Sequence, residues 1–78
     1  MYIPYFYLKE AKYTFTSESF TQKSEAESHI EYLLALGKSL KSTFALHQLT
    51  DLSADDKRIV SLLINHDIRS IRYGIMAI

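Results

Sequence analysis

The chain opens on a β-branched and aromatic run, Tyr2, Ile3, Tyr5, Phe6, Tyr7 and Leu8, broken only by Pro4, which predicts a strand. A proline cannot donate to a sheet ladder, so Pro4 places this strand at an edge or marks its start. Past Lys9, Glu10 and Ala11, the segment Lys12-Tyr13-Thr14-Phe15-Thr16 alternates polar and aromatic residues with period two. That is the pattern of a second, half-buried strand, and the short connection makes the pair a hairpin. The turn holds no glycine, so turn chemistry does not set the register.

The period then changes. Ser24-Glu25-Ala26-Glu27 fits a capping box, and Ala26, Ile30, Leu33 and Leu34 follow at helical spacing, with Gly37 where a left-handed C-terminal cap belongs. A helix over about 25 to 36 is expected. Residues 42 to 50 suit two readings. Phe44 and Leu46 alternate with Thr43, Ala45 and His47 as in a strand, whereas Ala45, Leu46 and Leu49 suit a helix; the strand is favoured. Ser53 and Asp56 repeat the cap pattern, Asp55 and Asp56 suit the positive end of a helix dipole, and Ile59, Leu62, Leu63 and His66 share a face, so a second helix runs over about 54 to 66. Ile71, Tyr73, Ile75 and Ala77 alternate in the tail from Ile68 to Ile78, which predicts a last strand. So apolar a terminus is expected to pair inside the sheet or against another chain. The order is ββαβαβ. It predicts an α+β fold in which two helices pack on one face of a small antiparallel or mixed sheet, within a single compact domain, 1–78.

Composition narrows the class. With 47% hydrophobic and 23% charged residues the chain is expected to fold, although a domain of 78 residues buries only roughly 60% of the surface its unfolded chain exposes. The absence of cysteine removes disulfides, thiolate zinc sites, iron–sulfur clusters and cysteine nucleophiles together. The N-terminus has no basic segment before an apolar one, and the longest apolar run, Tyr32 to Leu36, is five residues. Neither a signal peptide nor a membrane span is expected, and the reading points to the cytoplasm. Nine Lys+Arg against nine Asp+Glu give no net charge, which makes nucleic acid an unfavoured partner.

Candidate chemistry is sparse. His29, His47 and His66 lie far apart in the chain with no second ligand at metal-binding spacing, so no metal and no cofactor are expected. His29 is placed beside the apolar stripe of its helix near Glu25, and His66 at the end of the second helix. No Gly-x-Ser-x-Gly occurs, and Gly37 and Gly74 cannot form a phosphate-cradling loop. Asp55 and Asp56 are explained as dipole partners. The chain is read as no enzyme.

Aromatic residues are concentrated instead. Seven of ten lie in the first 20 residues, and consecutive Tyr5, Phe6 and Tyr7 must point to both faces of their strand. Tyr2, Tyr5, Tyr7 and Tyr13 are therefore candidate contacts for a protein partner, since aromatic anchors dominate binding energy. Glu18, Glu25, Glu27 and Glu31 form an acidic end with Lys23 alone to offset it, and could approach a basic groove on a nucleic-acid-binding complex. The expected function is a small non-catalytic protein-binding module that occupies a partner surface. Compact, cysteine-free chains of this kind are typical of phage or mobile-element inhibitors such as anti-CRISPR proteins, an analogy of class and not of fold. Two alternatives remain: a nucleic-acid accessory protein using Lys57, Arg58, Arg69 and Arg72, and a self-associating protein, such as a homodimer, joined through an edge strand.

Overall fold

A computed structural model describes residues 1–78. Two strands, β1 (Tyr2–Leu8) and β2 (Tyr13–Thr16), are followed by three helices, α1 (Lys23–Ser39), α2 (Thr43–His47) and α3 (Ala54–Asn65). A 3₁₀ turn (Ile68–Ser70) then leads into β3 (Ile71–Ala77). The sheet has three strands in the order β2-β1-β3, and both pairings are antiparallel. The fold is α+β as expected, but the element order is not ββαβαβ.

The difference lies at residues 42 to 50. The strand reading needs Phe44 and Leu46 on one face; instead Phe44 is 73% exposed and Leu46 is fully buried among the core residues. The segment forms a short helix capped by the Ser42 hydroxyl, which accepts from the Ala45 amide at 3.3 Å, and a spacing of two residues places the two side chains on opposite sides of a helix. With no strand between α1 and α3, the last strand pairs directly with the first.

Helix α1 is longer than its sequence signals imply. Ser24 lies inside it, so the Ser24–Glu27 capping box does not form; Gln22 occupies the cap position and makes no side-chain cap bond. Gly37 does not end the helix either, and no glycine has positive φ. Its role is packing: a Cβ at Gly37 would stand 2.8 Å from the Leu63 Cβ, so this glycine lets α1 approach α3. Both helices bring residues to the core built on Phe6 and Leu8, with Ile30 and Leu33 from α1 and Ile59, Val60 and Leu62 from α3.

Pro4 sits in the central strand, not at an edge. The Ser17 amide donates to the Pro4 carbonyl at 3.0 Å, and Tyr2 and Phe20 exchange both of their backbone bonds at 2.8 Å. Between these contacts Glu18 and Ser19 stand opposite Ile3 alone, which makes a β-bulge. The proline has no N–H to offer the Ser17 carbonyl, and this missing ladder bond falls where the neighbouring chain begins to bulge.

Gly37→Ala is expected to lower stability by about 1 kcal/mol in urea unfolding. The gain of about 1 kcal/mol in helix propensity is smaller than the roughly 1–3 kcal/mol cost of overpacking against Leu63. A more stable variant would show that α1 and α3 separate freely at this point.

Candidate functional site

Three surfaces or clusters carry chemistry. On β1, Pro4, Phe6 and Leu8 turn to the helices, which leaves Ile3, Tyr5 and Tyr7 on the opposite face, covered by no other element. Tyr5 lies opposite Gly74, and its ring folds across that glycine: a Cβ at Gly74 would meet the Tyr5 hydroxyl at 2.9 Å. Tyr7 stands between Thr14 and Arg72 in the register. The four tyrosines singled out from the sequence therefore divide. Tyr5 and Tyr7 share the open face, while Tyr2 and Tyr13 have the helix-side parity; Tyr13 packs edge-on against Phe15 at 4.8 Å.

The second surface is the free edge of β3. Backbone bonds at Met1–Ile78 and Lys9–Ser70 fix the alternation in the β1–β3 ladder, so the even-numbered residues of β3 bond inward. Tyr73 and Ile75 therefore present their N–H and C=O groups outward, where no further strand pairs. Their side chains share a groove with Lys23, Glu27, Ile30, Glu31 and Leu34 of α1, so one ammonium stands in it beside the two carboxylates. Glu27 and Glu31 lie one helical turn apart, and neither has an ion-pair partner. Glu25 lies elsewhere on α1, beside Thr21, and Glu18 lies in the bulge, so the acidic residues also divide between two places.

The third is buried. Asp56, only 3% exposed, takes the hydrogen bond of the Ser17 hydroxyl on Oδ1 at 2.6 Å and faces His29 Nε2 through Oδ2 at 2.9 Å. Its own amide donates to the Ser53 hydroxyl at 3.1 Å, so Ser53 caps α3 as the sequence predicts. The Asp56 carboxylate does not return to the cap; it turns into the core. His29 therefore pairs with Asp56 and not with Glu25, and its ring lies 5.1 Å from Phe20 and 6.0 Å from Tyr32. The Glu18 carboxylate completes a group of three whose ligating atoms all lie within 4.8 Å of one another. Ser17, Asp56 and His29 are not arranged as a nucleophile relay. That relay needs the imidazole between hydroxyl and acid, whereas here the carboxylate stands in the middle.

Signals for this cluster exist in the sequence. Asp56 falls at i−3 and i−4 from Ile59 and Val60, which puts an acid on the apolar stripe of α3, and His29 adjoins Ile30 on the stripe of α1. Ser17 and Glu18 carry no such mark, because the bulge that aims them depends on the register between Pro4 and Ser17.

The basic residues are not brought together. Arg58 pairs with Asp55 at 3.4 Å on α3, and Lys57 stands beside it. Arg72 lies at an open-face position of β3, on the other side of the sheet. Arg69 is engaged by Asp67, whose carboxylate also accepts from the Arg69 amide and so caps the 3₁₀ turn. The Arg69 hydrogen bonds hold the Asp67 carboxyl at about 2 instead of 3.8. Because the folded value is the lower one, this contribution to stability is present above pH 3.8 and is lost as pH falls toward 2. An NMR titration of the Asp67 carboxyl is expected to show a midpoint near 2 that rises part of the way toward 3.8 in Arg69→Ala, since the backbone amide of residue 69 still donates to the carboxylate. An unchanged midpoint in the variant would remove Arg69 as the cause.

Compared with protein-family models, curated proteins and solved structures, the chain matches none of them.

Proposed function

We propose that the chain is a non-catalytic protein-binding module, an inhibitor of the kind phages and mobile elements direct against nucleic-acid-binding complexes, which takes an extended basic segment of its partner onto the free edge of β3. The observation that carries this reading is the unpaired backbone of Tyr73 and Ile75 beside Glu27 and Glu31. A strand laid on this edge gains main-chain hydrogen bonds, and its alternate side chains fall over α1. Glu27 and Glu31 are spaced about 6 Å along the helix, close to the roughly 6.7 Å between alternate residues of a strand. Two cationic side chains at positions i and i+2 thus match the two carboxylates. Proteins that hold phosphate backbones carry such basic segments, and they suit a groove in which Glu27 and Glu31 outnumber Lys23.

The open face supports the same reading. Tyr5 rests on Gly74, so the tyrosine surface runs continuously into the edge and gives the partner's body an aromatic area to rest on. A second copy of the chain fits the edge less well. Pairing β3 with itself across a two-fold axis sets α1 beside its symmetry mate and brings Glu27 and Glu31 toward acids of the same kind.

The reading is tested by titrating the chain with an extended peptide that alternates Lys or Arg with Val and following backbone amides by NMR. Shifts concentrated at Tyr73 and Ile75 are expected. The double variant Glu27→Lys/Glu31→Lys should weaken binding by tenfold or more, and Tyr73→Pro, which removes an outward N–H as well as the ring, should weaken it more than Tyr73→Ala, which removes the ring alone. Unaltered affinity in the double variant and in Tyr73→Pro, or shifts confined to other surfaces, would contradict the edge as the site.

A further inference from the structure

We propose that Glu18, His29 and Asp56 form a site for a zinc-class divalent cation, separate from the β3 edge and independent of the binding reading above. One imidazole and two carboxylates are the nitrogen and oxygen donor set that Zn²⁺ accepts. The three ligating atoms already lie within 4.8 Å of one another, with His29 Nε2 and Asp56 Oδ2 at 2.9 Å. Two ligands at about 2.0–2.1 Å from a tetrahedral ion stand about 3.4 Å apart, so the buried pair opens by about half an ångström to admit one. Glu18 is exposed and swings in from the solvent side, which leaves the remaining position to water.

Two features go beyond the proximity of the donors. The bulge opposite Ile3 places consecutive residues, Ser17 and Glu18, near the same carboxylate, although neighbours in a regular strand point to opposite faces. Ser17 then holds Oδ1 of Asp56 through its hydroxyl and leaves Oδ2 directed at His29, the outer-shell arrangement that orients a carboxylate ligand. The other histidines lack such surroundings, since His47 and His66 line a groove with Lys57 and Arg58, where a cation meets like charge. The ligands come from the bulge, α1 and α3, so one ion would cross-link three segments of a chain that has no disulfide.

Coordination needs the Nε2 lone pair, so His29 must give up its hydrogen bond with Asp56 and carry its ring proton on Nδ1.

The test uses the full chain freed of metal with a chelator and then titrated with Zn²⁺, with Mg²⁺ as the comparison ion. Calorimetry is expected to show one equivalent of Zn²⁺, and the midpoint of thermal unfolding to rise by about 5 °C or more at saturation, with no rise for Mg²⁺. The His29 ring resonances should shift while those of His47 and His66 stay. Glu18 makes no ion pair, so Glu18→Ala keeps the fold and is expected to lower the Zn²⁺ affinity at least tenfold. The proposal is overturned if the native chain shows no Zn²⁺-dependent rise. It is equally overturned if Glu18→Ala binds as tightly as the native chain, or if His47 or His66 responds in place of His29.

Discussion

The carboxylate of Asp56 is the interaction on which the rest of the molecule depends. An ionisable group at 3% exposure is costly unless its oxygens are satisfied, and both are: Ser17 donates to one, and His29 meets the other. Its place in the first turn of α3 adds the favourable end of the helix dipole. Three segments far apart in sequence are thereby held at one point. The bulge after β2 cannot leave the sheet without releasing Ser17, and α1 cannot slide along α3 without separating His29 from Asp56. Removing one partner strands the others without water, which makes such a network specific as well as cohesive.

Pro4 and Gly37 are the two backbone features that make this geometry reachable. Pro4 leaves its neighbour free to bulge, and the bulge turns Ser17 inward. Gly37 lets the far end of α1 close on Leu63, so the helix is fixed at both ends, by His29 near its start and by Gly37 near its finish. The consequence for the surface is an α1 with two working sides. Glu27, Glu31 and Leu34 look toward the free edge of β3, while Glu25, His29 and Tyr32 look toward Phe20 and the bulge. The proposed interface and the proposed cation site therefore share no residue.

Much of this was legible in the chain. The hairpin, the apolar stripes of both long helices, the Ser53 cap and the final strand follow from local period and cap chemistry, whereas the Ser24 and Gly37 cap signals fall inside α1. Residues 42 to 50 were not, because Phe44 and Leu46 fit a strand locally, and it takes the buried position offered to Leu46 against α3 together with the Ser42 cap to select the helix. Gly37 is ambiguous for a related reason: a cap glycine and a packing glycine look alike until the opposing Leu63 is known. Pro4 argued for an edge since the bulge beside it is a property of the pairing. The tyrosines and glutamates were visible as types, but strand parity and the bulge decide which of them share a surface. No local pattern could show that Ser17, Glu18, His29 and Asp56 meet, although an acid on an apolar stripe was the available sign.

The most direct test of this account is native-state hydrogen exchange on Asp56→Ala. The Ser17 and Phe20 amides, which tie the bulge to Pro4 and Tyr2, should lose protection by local opening, while the Tyr5 and Gly74 amides of the β1–β3 ladder exchange only through global unfolding. Loss of protection by the same factor at all four amides would contradict the claim that Asp56 holds the bulge in place.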